Sequence, residues 1–428
     1  MSVHRLLLSA GSRQLAQLAR EDFLWRPAGE ESSMRTTLGP RLEQLGPVAD
    51  PHVDFVRLAA LVYLVDRTAP RTERGFEREL SLTVPVADPD AWNAQANGLA
   101  ELLKLLSSDR WSLTFVKARP PRRREMAPAH RSDLVLLFSG GADSLSGALV
   151  AHAGGQEPLL ASHWDFSITG GVQNRLVADL EAFWGARPAR QKVRLGRRSR
   201  QTGSGVNFRT EGSSRSRSLL FLALGLAIAS INDAELWMAE NGFASLNVPL
   251  TGERRAAFST RTTHPGFLRD LGALLRTLGL GVRLSNPFEQ LSKGEVYGRV
   301  VEAIGATDAS RLLSASHSCA KPDRGPGFSA ETHCGACFGC LVRRSAFLAA
   351  DLPDSTVYIE QQLRGDRGRD ARMGHAWRAT YESARARAQR GVSAADVLAL
   401  GLPDDYDLDA ALRVAQTGVT ELALLKLP

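Results

Sequence analysis

Residues 134–150, LVLLFSGGADSLSGALV, decide the fold. The pentapeptide LVLLF reads as a buried strand, the two glycines as a turn, and the apolar residues that resume after Ser144 as a helix. In an open parallel sheet, ligands collect at the carboxyl ends of the strands. A glycine turn entering a helix offers unpaired backbone N–H groups and a positive dipole end to an anion. Phosphate suits that arrangement. Gly140 and Gly141 remove side chains that would block close approach, Ser139 and Ser144 supply hydroxyl donors, and Ser144 is a candidate helix cap. Asp143 would repel a phosphate unless a divalent cation lay between them, so the pattern calls for magnesium. No Gly-Lys pair occurs in the chain, which excludes a Walker loop.

Outward from this stretch the pattern repeats as strand then helix: PLLASHW, a helix at 172–184, RQKVRL, a helix at 216–231, AELWMAE, a helix near 265–279, VRLSNPF and a helix from 293. Such alternation predicts an α/β domain over 132–350, a doubly wound parallel sheet with helices on both faces. Residues 1–125 mix helices at VDFVRLAALVYLV and PDAWNAQANGLAELLKLL with strands at ELSLTVPV and WSLTFV, an α+β accessory domain. The proline-containing basic run KARPPRRREMAPAHR (117–131) reads as the linker between them. Residues 351–428 are expected to be a helical extension, with DARMGHAWRATYESARARAQR and SAADVLALGL as its candidate helices.

At 428 residues and 43% apolar content the chain is long enough for two or three domains. The longest apolar run, LLFLALGLAIASI (219–231), falls short of the ~20 residues of a membrane span. The opening residues read as neither signal nor transit peptide, so the expected location is the cytoplasm, with no membrane partner. The net charge of +7 is local: Arg187–Arg217 holds ten Arg or Lys against Glu211 alone. That segment reads either as a solvated Arg/Ser/Gly loop or as an anion- or partner-binding flap.

All four cysteines fall in HSCAKPDRGPGFSAETHCGACFGC, as Cys319, Cys334, Cys337 and Cys340. Three at successive spacings of three form a knuckle, with Gly335 and Gly339 expected to let backbone N–H groups face the sulfurs. Four thiolates suit a closed, structural zinc site. An iron–sulfur cluster uses the same spacing, and paired disulfides are disfavoured in a reducing compartment. His317 and His333 flank the cysteines as possible substitutes. Lysine is rare, six beside 47 arginines, yet Lys293 stands where a helix begins after a strand. There it is placed to stabilise charge on phosphate oxygens.

Ser139-Gly140-Gly141-Ala142-Asp143-Ser144 resembles the pyrophosphate (PP) loop of the N-type ATP pyrophosphatases. With RS-LLFLALGLAIA, NPFEQLSKGEV and the cysteine knuckle, the stretch 133–350 resembles the 7-cyano-7-deazaguanine synthase (QueC-like) family. Within it, ENGFASLNVPLTGERRAAFSTRTTHPGFL looks like the QatC proteins of Qat anti-phage defence systems, which also carry an added amino-terminal domain. The resemblance implies a PP-loop, HUP-like fold and an ATP-dependent, AMP-forming carbon–nitrogen ligase. It would adenylate the carboxylate of 7-carboxy-7-deazaguanine or a relative, then form an amide with ammonia or an amine of a partner protein. Carried over by position, Phe138, Ser139, Gly140, Gly141, Ala142, Asp143 and Ser144 hold ATP with Mg2+, and Arg217 and Asn241 lie near the nucleotide or base. Asp143 and Lys293 carry the catalysis, and the four cysteines hold Zn2+. Implied partners are a deazapurine substrate and other proteins of a defence operon, in a homo- or hetero-oligomer; nucleic acid is not favoured. HWDFSITGGVQ and NVPLTGE…STRTTHP depart from the family on the substrate side, which leaves the acceptor open. A tRNA-thiolating PP-loop enzyme and an inactive ATP-binding scaffold are the alternatives.

Overall fold

The computed structural model describes residues 2–71, 77–119, 125–212, 214–250, 261–281, 283–319, 329, 332–360 and 371–425, with backbone alone for 371–377. The first segment runs β1 (Ser2–Leu7), α1 (Ser12–Ala16), β2 (Asp22–Leu24), β3 (Met34–Thr36), α2 (Asp50–Asp66), β4 (Glu79–Val86), α3 (Pro89–Ala94), α4 (Ala96–Ser107) and β5 (Arg110–Lys117). The second runs β6 (Leu134–Leu137), α5 (Ala142–Ala153), β7 (Leu159–Trp164), α6 (Ser167–Trp184), β8 (Arg190–Arg197), α7 (Arg217–Ser230), β9 (Glu235–Trp237), α8 (Gly242–Leu246), α9 (Pro265–Thr277) and β10 (Leu284–Ser285). Helices α10 (Lys293–Ile304), α11 (Ala306–Ala315), α12 (Phe338–Ala349), α13 (Ala371–Arg390), α14 (Ala394–Leu398) and α15 (Leu408–Ala423) complete it.

Two sheets form. Strands β2-β1-β4-β5 make a four-stranded parallel sheet, and β10-β9-β6-β7-β8-β3 make a six-stranded one. In the second, β10 through β8 are parallel, whereas β3 runs antiparallel to β8, Met34 facing Arg197 and Thr36 facing Leu195. The expected all-parallel sheet is therefore mixed. Its last strand comes from far upstream, where a three-residue strand leaves no periodic signal.

Side-chain alternation along β6 divides the core. Val135 and Leu137 join α7 and the first segment in one apolar cluster; Leu136 and Phe138 join α5, α6, α10, α11 and α12 in another. Helix α2 packs on α7, so the first sheet and the second share one continuous core. Asp66 reinforces that contact. Fully buried at the end of α2, its Oδ2 accepts from the Arg215 N–H (2.7 Å), the Ser216 N–H (3.1 Å) and the Ser216 hydroxyl (2.8 Å), serving the start of α7. A third cluster joins α8 and α12 to α13 and α15.

The Arg-rich segment is not a free loop. Residues 190–197 are β8, and beyond them Gln201 donates to the Ala19 and Asp22 carbonyls while accepting from the Ser33 hydroxyl. Among the described residues no helix is long and apolar enough to cross a membrane.

Candidate active site and metal centre

The chain leaves β6 for β7 and β8 on one side, then returns to place β9 and β10 on the other. The loops after β6 and β9 consequently diverge and open a cleft at the switch point. On one wall stands the glycine turn. Gly140 has φ +89°, and a Cβ there would meet Val172 Cγ1 at 3.2 Å, so both conformation and space require glycine. Helix α5 begins at Ala142 with Gly141 as N-cap and no side-chain cap. The expected capping by Ser144 is not what forms: its hydroxyl donates to the Gly141 carbonyl at 3.0 Å and lies 3.2 Å from Ser139 Oγ. The helix starts before Ser144, so that hydroxyl points back along the first turn and leaves the N–H groups open. Gln173 of α6 holds the turn from behind, its amide donating to the carbonyls of Ser139 (3.3 Å) and His163 (3.0 Å). Phe138 and Ala142, on either side of the turn, are buried.

The opposite wall comes from β9 and α10. Lys293, the first residue of α10, is 5% exposed, and its Nζ donates to Asp143 Oδ2 at 2.5 Å. Burial opposes its charge most strongly, but Asp143, Tyr297 and Glu240 together overcome that and hold the ammonium above its usual pKa. Asn241 Nδ2 donates to Asp143 Oδ2 and to Glu240 Oε1, both at 3.3 Å, while its Oδ1 accepts the Ala244 N–H at 2.9 Å and caps α8. Burial and the neighbouring Asp143 charge push the Glu240 carboxyl well above the usual range. Asp143 Oδ1 is buried with no partner among the described residues. An unpartnered carboxylate oxygen beside an anion-binding turn suits a divalent cation.

Of the residues singled out by sequence, Asp143, Asn241 and Lys293 are thus joined directly, with Ser139, Gly140, Gly141 and Ser144 forming the adjacent turn. Arg217 stands toward β7, its Nη2 on the His163 carbonyl at 3.3 Å and its Nε buried without a partner. Of the NVPLTGE…STRTTHP stretch, 251–260 lies outside the described residues. Sequence reasoning missed Glu240, Gln173 and Glu421. Glu421 of α15 accepts from the Ser292 hydroxyl and, at 3.0 Å, from the Gly294 N–H, bracing α10 on both sides of Lys293. Only the Glu next to Asn241 carried a readable signal, since the same quoted stretch begins with it.

The metal centre is separate. The Sγ atoms of Cys319, Cys334, Cys337 and Cys340 all lie within 4.8 Å of one another. Cys340 Sγ is 3.8 Å from Cys334 Sγ and 3.5 Å from Cys337 Sγ. A tetrahedron with arms of ~2.3 Å has edges of ~3.8 Å, so the sulfurs fit one ion. A multi-iron cluster would hold them farther apart, with bridging sulfides between. Thiols this close compete for protons: hydrogen bonds from Cys334 and its neighbours pull the Cys319 thiol down, and the interaction with Cys319 pushes Cys340 up. A cation relieves that competition. Among the described residues, backbone N–H groups do face the sulfurs, those of Cys334 (to Cys319, 3.4 Å) and Cys337 (to Cys334, 3.2 Å). Gly335 and Gly339 serve close packing, since a Cβ would lie 2.6 Å from the Glu360 carbonyl and 2.7 Å from that of Ser318. His333 accepts the Ser318 N–H at 3.1 Å on Nε2, which commits that nitrogen away from a metal.

A protein with a mainly parallel sheet, a charged cleft at its switch point and a four-cysteine cluster able to bind a metal is the class that these features define. No protein-family model matches the chain. Similar proteins are the 7-cyano-7-deazaguanine synthases of Syntrophobacter fumaroxidans (strain DSM 10017 / MPOB), 28% identical over 268 residues, and Anaeromyxobacter sp. (strain Fw109-5), 26% over 260. That of Ralstonia pickettii (strain 12J) is 25% identical over 251 residues. The matches span 55%, 55% and 53% of this chain and 99%, 100% and 98% of the respective relatives. The chain is distantly homologous to these synthases over about half its length.

Proposed function

We propose that this protein is a PP-loop, HUP-like ATP pyrophosphatase that works as a ligase, forming AMP and pyrophosphate while activating the carboxylate of a 7-deazaguanine. 7-Carboxy-7-deazaguanine or a relative is the acid, and an amine then displaces AMP to give an amide. The observation that carries this reading is the buried Lys293–Asp143 pair, which brings a lysine to the glycine turn from 150 residues away. The distant similarity to 7-cyano-7-deazaguanine synthases supports the choice of acid.

In this reading the Ser139 and Ser144 hydroxyls and the open N–H groups at the start of α5 hold the outer phosphates. Asp143 Oδ1 is the oxygen that would hold Mg2+, which when bound neutralises charge between carboxylate and phosphate. Lys293 stays protonated and opposes the charge that builds on departing pyrophosphate. Arg217 and Asn241 line the nucleotide or base side. The four cysteines would hold Zn2+, a closed shell whose contribution is to folding. With all four engaged there, no thiol is left for sulfur transfer, which disfavours tRNA thiolation. We place the enzyme in the cytoplasm within an anti-phage defence system of the QatC kind. Its amine is ammonia or a terminus of another protein of that system, with which it forms an oligomer.

Incubation with ATP, Mg2+ and 7-carboxy-7-deazaguanine is expected to release pyrophosphate and AMP, and Asp143→Ala to abolish both. Formation of ADP, or substrate-independent turnover unchanged in that variant, would overturn the reading.

A further inference from the structure

Among the described residues, two carboxylates and one ammonium meet at this site, those of Asp143, Glu240 and Lys293. Lys293 pairs with Asp143, and Glu240 is left as the second acid. Glu240 is also the better exposed of the two, half-buried where Asp143 is buried. Its position is fixed on three sides. Asn286 grips its backbone twice, accepting the Glu240 N–H at 3.1 Å and donating to its carbonyl at 2.7 Å. Asn241, held by its cap on α8, donates to its side chain and is its one hydrogen-bond donor among the described residues. The turn then passes Gly242, where a Cβ would lie 2.0 Å from the Glu289 carbonyl. So much bracing of one backbone position implies that the carboxylate must be aimed.

We infer that Glu240 is the base that takes the proton from the amine as it attacks the adenylated carboxylate. The inference rests on the ligase reading above. In that step the amine nitrogen bonds to the acyl carbon and the bond from that carbon to the phosphate-bound oxygen breaks. AMP departs with the electron pair, and the proton lost by nitrogen ends on Glu240. Four neighbouring groups among the described residues are unsuited. Asp143 is neutralised by Lys293, and Lys293 keeps its own proton. The Tyr297 phenol is held protonated by burial. His163 is fully enclosed, its Nε2 on the Leu195 carbonyl, and burial lowers it to about 3. Glu240, half-buried beside Asp143, has the raised proton affinity that divides two neighbouring carboxylates into different roles.

The two half-reactions separate the roles. ATP–pyrophosphate exchange with 7-carboxy-7-deazaguanine reads adenylation alone, and amide formation with ammonium chloride reads both steps. Glu240→Gln is expected to keep exchange within about 3-fold of wild type while slowing amide formation by about 100- to 10,000-fold, the usual worth of a general base. Hydroxylamine, which is unprotonated at neutral pH, is expected to restore product in the variant. Loss of exchange together with amide formation would make Glu240 a part of the nucleotide side, and unchanged amide formation would remove it from the chemistry; either overturns the inference. Absence of exchange in the wild-type protein would instead overturn the ligase reading. Retained exchange in Glu240→Gln also shows that the variant is folded.

Discussion

The backbone N–H of His317 donates to the carbonyl of Gly140 at 2.9 Å. His317 is two residues from Cys319, and the Ser318 N–H between them is held by His333, beside Cys334. Buried Arg343 ties the same strand down by bonds to the Ser316 hydroxyl (2.9 Å) and the Leu313 carbonyl (2.6 Å). The cysteine knuckle is thereby joined to the glycine turn through one short run of backbone.

Removing the metal should therefore loosen the turn as well as the knuckle. We expect chelation, or Cys340→Ser, to weaken ATP binding at least about 10-fold and to lower the unfolding temperature, because structural ions contribute folding energy outright. Calorimetric titration of ATP and Mg2+ into treated and untreated protein checks it. Unchanged affinity after complete metal loss would disconnect the two sites.

Replacing Lys293 by Met strips Asp143 of its counter-charge in a buried place. Pyrophosphate release is expected to fall about 100- to 1,000-fold, the scale found for lost transition-state donors. Lys293→Arg keeps the charge but not the shape of a point ammonium, and should recover part of the rate. Steady-state pyrophosphate assays on both variants, with melting curves beside them, make the comparison.

The first segment should not be separable. It supplies β3 to the six-stranded sheet, α2 to the shared core and Asp66 to the head of α7. A chain of residues 132–428 is expected to show no cooperative unfolding transition. In the full chain, Asp66→Ala should cost about 3–5 kcal/mol, since it leaves buried Arg78, now 2.7 Å from Asp66, without half of its compensation. Denaturant titration measures both.

His163 carries a pH signature. Burial, aided by the Arg217 charge, keeps it neutral in the folded protein down to about 3, whereas unfolded histidine titrates near 6.5. Between those limits the unfolded chain binds the extra proton, so this residue lowers stability as pH falls below 6.5, by about 2 kcal/mol at pH 5. His163→Gln, which retains a donor for the Leu195 carbonyl, is expected to move the acid-unfolding midpoint to lower pH. Acid titrations followed by far-ultraviolet circular dichroism decide it.

What the chain made legible was local. The strand, glycine turn and helix around Gly140, the four cysteines and the helix opened by Lys293 each occupy a short window with its own pattern. Helices α2, α7, α9 and α10 also fall where their periodicity placed them. What escaped was made by distant partners. Nothing near Met34 announces pairing with Arg197, and nothing near Glu421 announces Ser292. Helix α15 was likewise not singled out, although Asp407 caps its start by accepting the Ala410 N–H at 2.9 Å. The strand RQKVRL, where Val193 and Leu195 turn inward, was legible, but the Arg/Ser/Gly run after it read as loop or flap because its anchors, such as Gln201 on Ala19 and Asp22, lie far upstream.

Glu421 sits 129 residues after the hydroxyl it receives from Ser292. During synthesis, every ligand of the cleft has left the ribosome well before that carboxylate exists. Until translation passes residue 421 the start of α10 lacks its brace, so a chain cut between 293 and 421 carries Asp143, Asn241 and Lys293 without the contact that holds α10 in place.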